Sequence, residues 1–278
     1  MIRVFTSTFC IVLLLGVLFL VMPTNAQRDE ATVAANWTFN DGSAKDTSKK
    51  GLDGNFTGKP KAVEGIAGKA LQFNGKSDGI KFPDSVDINT GGPYTNRTVA
   101  ALFYCDNAKI DDRKQVIFEE GGATRGLILY VHGGKVYAGG WNRAEYNWNG
   151  AWPSADVKSK QWYHVGLVIR DARDKVENKK FEMWLDGKRI AQEKGGQLHA
   201  HGDDIGVGHL NQNTVYHDGG GGGQTDVDWF GGIIDEVLVY GSAFDEGDFA
   251  TLAEPLSVEP QGKFTTTWAH LKAQRTEK

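Results

Sequence analysis

"FGGIIDEVLVYGSAF", residues 230–244, is the stretch that decides the fold. It is rich in β-branched residues, starts behind a glycine pair and runs into a polar loop, which is the signature of a strand. Alternation along a strand places Ile233, Asp235, Val237 and Val239 on one face and Ile234, Glu236, Leu238 and Tyr240 on the other. Either face carries a carboxylate among aliphatic neighbours, and a buried carboxylate needs a partner.

The same grammar extends back through the chain. Glycine is abundant (36) and proline scarce (7), and Gly, Asn and Asp punctuate short apolar runs. "ALQFNGKSDGIKF" (70–82) reads as a hairpin with Leu71 and Phe73 on one face, a turn at Asn74-Gly75, and Ile80 and Phe82 returning. "GLILYVHGGKVYAGG" (126–140) turns at Gly133-Gly134, and "FEMWLDGKRIA" (181–191) turns at Asp186-Gly187. Such dipeptides suit tight hairpins, whose central residues need positive φ. "QWYHVGLVIR" (161–170) is apolar on both faces toward its end, as an interior strand is. After residue 244 the pattern changes: Asp245 caps a short helix that carries Phe249 and Leu252 and stops at Pro255. The expected class is all-β, an antiparallel sandwich with a short C-terminal helix and a polar, basic tail from residue 255.

Residues 1–26 combine Arg3, an apolar run over 9–22 and a small-residue end, Thr24-Asn25-Ala26. That is the layout of a secretory leader, too short for a confident membrane span, so the expected location is extracellular. About 250 residues remain, a length that one large all-β domain occupies, here residues 27–254. The net charge of −4 gives no footprint for nucleic acid or for an anionic membrane. Cys10 leaves with the leader. Cys105 then stands alone in a strand-like run and reads as a small buried hydrophobe.

In order, "NWTFNDGSAKDTSKKGLDGNF" (36–56), "GIAGKALQFNGKSDGIKF" (65–82), "RTVAALFYC" (97–105), "QWYHVGLVIR", "FEMWLDGKRIA", "DDIGVGHL" (203–210) and "FGGIIDEVLVYGSAFDEGDFATL" (230–252) resemble the laminin G-like, or concanavalin A-like lectin/glucanase, domains over residues 35–252. The resemblance implies a jelly-roll β-sandwich and says little about function, because that fold hosts lectins, hydrolases and adhesion modules. In calcium-binding relatives an acid on the final strand holds a structural ion together with backbone oxygens of the N-terminal loop. The resemblance therefore implies a Ca2+ at Asp235 and Asp41, with backbone oxygens from Asn40 or Gly42. Calcium suits such a set because it accepts carbonyls beside carboxylates.

The glucanase branch spaces its acids E-x-D-x-x-E on one strand, and that spacing is absent. Glu119-Glu120 and Asp111-Asp112 are adjacent pairs, which read as solvated acids. "GGATRG" (121–126) is not a nucleophile elbow. His199, His201 and His209 cluster in "QLHAHGDDIGVGH" (197–209) without a fixed metal motif. The richest candidate for recognition is "GGWNRAEYNWNGAWP" (139–153), where Trp141, Tyr146, Trp148 and Trp152 stand among Asn142 and Arg143. Flat rings cover the apolar face of a pyranose while amides and charges take its hydroxyls. At least one of these tryptophans is expected in the core. The expected function is a secreted, non-catalytic module that binds a glycan or polysaccharide. A glycan hydrolase or lyase on the same fold, and an adhesion protein with a surface-protein partner, are the alternatives.

Overall fold

The computed structural model describes residues 32–66, 68–202, 205–219 and 224–257. The leader, Cys10, Asp203, Asp204, Gly220–Gly223, Trp268 and the tail from 258 lie outside the described residues.

Two antiparallel sheets stack into a sandwich, and strands are numbered in chain order. Sheet A runs from β14 (Lys188–Gly195) through β13 (Glu177–Leu185), β12 (Trp162–Ile169), β6 (Arg97–Cys105), β16 (Gly231–Tyr240) and β4 (Lys69–Asn74) to β3 (Lys61–Glu64). Its eighth strand, β1 (Val33–Trp37), also pairs with β16. Sheet B runs from β10 (Trp148–Ala151) through β9 (Lys135–Asn142), β8 (Arg125–His132), β7 (Gln115–Gly121), β15 (Ile205–Val207) and β5 (Gly79–Phe82) to β2 (Asn55–Thr57). The short β11 (Ser154–Asp156) lies on β9.

The facing sides of the sheets bury Leu71, Phe73, Ile80, Phe82, Leu127, Leu129, Val131, Phe181 and Met183, the residues that alternation assigns inward. Trp37 of sheet A lies 4.0 Å from Phe82 of sheet B, and its indole N–H donates to the Leu52 carbonyl at 2.8 Å. Cys105 is in this core, where burial pushes its thiol up to about 11. It is inert at neutral pH.

The turns at 133–134 and 186–187 join true hairpins, β8–β9 and β13–β14. Residues 70–82 differ. Asn74 does make a turn, its Oδ1 accepting the amides of Lys76, Ser77 and Asp78. But β4 belongs to sheet A and β5 to sheet B, so this segment is an arch between the layers and not a hairpin. Both strands still face inward, which is why side-chain alternation alone cannot separate the two cases.

The final strand also departs from simple alternation. A bulge lies between Asp235 and Leu238, and Glu236 has φ +49°. Ile234, Val237 and Val239 face the inter-sheet core, while Leu238 and Tyr240 face outward. Asp235, in register with Leu102 just ahead of the bulge, and Glu236 within it are both buried, 0% and 2% exposed. The outward side of this part of sheet A is covered by α2 (Glu246–Ala253). Asp245 and Asp248 form its capping box, and Phe249 stacks on Trp184 at 4.6 Å. No helix of the described residues is long and apolar enough to cross a membrane.

Candidate functional site

The outer face of sheet B is covered by the chain between β15 and β16. Leu210, Val215 and Tyr216 pack on Val116, Ile128, Tyr130 and Trp141. This cover explains the fate of the aromatic run. Trp141 is fully buried and stacks on the half-buried Trp152 at 6.4 Å. Trp152 donates to the Val215 carbonyl at 3.3 Å. Trp148 points the other way, into the inter-sheet core, where it meets Phe181 edge-on at 5.7 Å. Trp141 and Trp148 are thus interior side chains, and their rings offer no open stacking face.

The remaining residues of the run stand beside a pocket. The chain leaves β9 at Asn142 and makes one helical turn, α1 (Arg143–Tyr146), which Asn147 ends in the left-handed conformation at φ +50°. Next to α1 lies a cavity of about 260 Å³ lined by Gly122, Ala123, Thr124, Arg125, His201 and Gly202. Its wall is the β7–β8 turn, the "GGATRG" segment. Gly121 takes φ +112° there, and a Cβ would lie 2.4 Å from the Arg125 carbonyl oxygen, so glycine is required. Trp141 steadies this wall, its indole N–H donating to the Gly122 carbonyl at 2.9 Å. The Arg143 amide donates to the Thr124 carbonyl at 2.9 Å. The Arg125 guanidinium makes a two-pronged bond to Glu145, with Nε to Oε2 at 2.8 Å and Nη2 to Oε1. That bond holds the Glu145 carboxyl below the usual carboxylate range.

Tyr146 is half-buried, its hydroxyl 3.2 Å from Gln197 Oε1 and 3.3 Å from His199 Nδ1. Asn142 is buried and donates to the Gln197 carbonyl at 2.8 Å. Arg143 is exposed on α1. Tyr146, Asn142 and Arg143 are therefore gathered at this end of sheet B, with Trp141 beneath them.

The pocket floor carries buried charge. His201 Nε2 lies 2.5 Å from Glu120 Oε2, and its Nδ1 is 2.8 Å from the His199 carbonyl, both side chains being nearly sealed from water. Arg97, fully buried, donates to the carbonyls of Asp87 and Ile88 and stacks on Tyr94 at 3.9 Å, with its charge acting on Glu120. Burial by itself would depress the His201 pKa, but the Glu120 carboxylate outweighs it and holds the imidazole above its ordinary value. Glu119 and Glu120 are consequently not solvated acids. Glu119 is buried too, accepting the Asn211 amide at 2.9 Å. Their burial arises from β15 pairing with β7 and from His201 and Asn211 closing on the two acids, long-range contacts that no local spacing announces. Asp111 and Asp112 are exposed.

The residues implied for calcium sit at the other strand-rich corner. Asp235 Oδ1 accepts the Glu236 amide at 2.9 Å, and its Oδ2 lies 2.6 Å from where a Gly65 side chain would begin. Asn40 Oδ1 accepts the Lys69 amide at 3.3 Å, and Gly42 is tight against Ala62. Asp235, Asn40 and Gly42 thus all meet the β3–β4 hairpin and its turn. Asp41 is exposed and turns its Oδ1 to the Ser43 hydroxyl and amide, which lowers its pKa. Among the described residues no three His, Cys, Asp or Glu side chains converge to hold a metal. The donors here are oxygen only, one buried carboxylate and the Gly68 carbonyl meeting the same glycine, Gly65, which suits the hard-ion chemistry of calcium and not that of zinc.

A family model described as the concanavalin A-like lectin/glucanases superfamily, of the laminin G group, matches residues 74–248, and the chain belongs to that family. No curated protein matches the chain. Among solved structures it is similar to domain 4 of AbnA, an extracellular arabinanase from Geobacillus stearothermophilus solved with arabinotriose. Identity is 16% and TM-score 0.57, over 80% of this chain and 98% of that one. The botulinum neurotoxin serotype G binding domain matches with 10% identity and TM-score 0.60, over 80% of this chain and 50% of that one. A botulinum neurotoxin type C structure, described as interacting with two ganglioside molecules, matches with 10% identity and TM-score 0.61, over 82% and 52%. The chain spans about half the length of these toxin chains. Likeness at this identity establishes the fold.

Proposed function

We propose that this protein is an exported, non-catalytic carbohydrate-binding module that takes a sugar at the pocket between the β7–β8 turn, α1 and His201. The observation that carries this reading is the pocket itself. It is walled by the β7–β8 turn with Thr124 and a tethered arginine, and by His201, two residues beyond the His199 that meets the half-buried Tyr146. At about 260 Å³ it is smaller than the ~300–1,000 Å³ typical of drug-sized ligand sites, so it suits one sugar residue, with the rest of a glycan left outside. The arabinotriose and ganglioside ligands of the structural neighbours support a glycan as the partner. Tyr146 supplies a ring edge and a hydroxyl, Arg125 and Arg143 supply charged donors, and Trp141 keeps the wall in place.

A glycan array followed by calorimetry on the best ligand tests this. Tyr146→Ala is expected to weaken binding about tenfold, near the 1–3 kcal/mol of a well-placed ring or hydrogen bond, while the melting temperature stays close to the parent's. Absence of any glycan ligand, or a Tyr146→Ala protein that binds as the parent does, ends the reading.

We further propose a structural Ca2+ at the β3–β4 corner, held by Asp235 with backbone oxygens from Asn40 and Gly42. Bound there, the ion supplies a fixed double charge that offsets the buried carboxylate. The chain's own part is to hold the acid buried on β16, just ahead of the bulge. With calcium about 100-fold above its dissociation constant, chelation is expected to lower the melting temperature by about 5–10 °C. Metal analysis showing no calcium, with a melt indifferent to chelator, removes it.

A further inference from the structure

At the opposite end of β8 from the pocket, two imidazoles meet in partial exposure, His132 at the strand's last position and His217 in the covering segment. Their ring centres are 5.4 Å apart. Each ring has one nitrogen anchored by the fold. His132 Nε2 lies 2.9 Å from the Asp111 carbonyl oxygen. A carbonyl only accepts, so Nε2 carries the proton and the neutral ring presents a lone pair at Nδ1. His217 Nδ1 lies 2.8 Å from the Tyr130 hydroxyl, which leaves Nε2 as its outer nitrogen. Tyr137 stacks on His217 at 4.3 Å and 16°, fixing the plane of that ring.

We propose that His132 and His217 form a binding site for a late first-row divalent transition metal, with Cu2+ bound most tightly. A metal–nitrogen bond of about 2.0–2.1 Å puts a ring centre roughly 3.2 Å from the ion, so two rings on neighbouring positions of one ion are about 4.5 Å apart at the right angle Cu2+ prefers and about 5 Å apart at a tetrahedral angle. The observed spacing lies within about 1 Å of both, a shift within reach of the exposed His217 side chain. The Asp111 carbonyl and the Tyr130 hydroxyl are the outer partners that fix tautomer and orientation at such sites, the latter accepting from Nδ1–H once Nε2 is on the metal. Water completes the coordination, as the partial exposure allows. Imidazole nitrogen and the Irving–Williams order favour Cu2+ over Ni2+ and Zn2+.

The test is titration of the tag-free protein with CuCl2 at pH 7.4, read by calorimetry and electron paramagnetic resonance. One ion per chain with nitrogen hyperfine structure is expected. His132→Ala and His217→Gln should each weaken binding by about 100-fold or more, and Tyr130→Phe by ~10-fold, as loss of an outer partner does. Both histidine variants should keep the parent's circular dichroism. If His132→Ala fails to fold, His217→Gln decides, because that side chain is exposed. Failure to bind Cu2+ at tens of micromolar, retention of binding in His217→Gln, or its loss in His199→Ala overturns the proposal.

Discussion

Trp141→Ala is expected to lower the unfolding free energy by about 3–5 kcal/mol, the cost of deleting a buried indole and leaving a cavity. The ring is fully buried, stacks on Trp152, lies under Leu210, Val215 and Tyr216, and donates to the Gly122 carbonyl. For a domain of this size the melting temperature should fall by roughly 10 °C. Trp141→Phe keeps most of the apolar contact and loses the bond to the turn, so it should cost less in stability than the alanine variant and still loosen the pocket wall. Denaturant titration of the two variants checks both statements. A midpoint for Trp141→Ala equal to the parent's would show that the indole does not belong to the interior. The contrast with Tyr146→Ala, which should lose affinity and keep stability, separates the frame of the site from its surface.

Acidification from pH 6.5 to pH 4 is expected to cost about 3 kcal/mol at a single residue, His209. The ring is fully buried, stacked on Trp229 at 4.7 Å and 7°. Burial drops its pKa to about 4, in spite of the Val207 carbonyl and Asp226 nearby. The unfolded chain takes up this proton near pH 6.5 and the folded chain only near pH 4, so the unfolded state gains across that window. Stability from the neutral ring is complete above pH 6.5 and lost as the pH falls. His201 works in the other direction. Its pKa is raised, so its pairing with Glu120 is fully effective below the unfolded value and is lost as the pH rises through the folded one. Midpoints measured at pH 6.5 and 4.5 should separate in the parent and converge in His209→Gln. Equal pH slopes for the two proteins would remove His209 as the cause.

Much of the sandwich is readable in the sequence because its turns are local chemistry. The β8–β9 and β13–β14 hairpins follow from glycine-containing turns between alternating strands, and Asp245 announces α2 from a single position. The arch from β4 to β5 is not readable, since an Asn-Gly turn and two inward faces look alike whether the strands pair or part into different layers. The bulge at Glu236 is hidden for a different reason. A glutamate at positive φ carries no compositional sign, so alternation assigns Asp235 and Val237 to one face when the chain actually aligns Ile234 with Val237. Tyr146, Asn142 and Arg143 stand out as a polar–aromatic cluster, but the burial of Trp141 depends on residues 210–216 folding back over sheet B. Glu120 and Arg125 have signals only in space: the first becomes notable through His201, and the second through Glu145.

The position of β16 has a kinetic corollary. Among the described residues the last strand, β16, lies between β6 and β4 and also receives the first, β1. Until about residue 240 has emerged, the amino-terminal third of sheet A has no template on which to close, and partial products expose long unpaired edges. Such architecture folds late and slowly, because its decisive contacts join residues 33–37 to residues 237–240. A chain cut short of Gly231 should accumulate as sticky, protease-sensitive material.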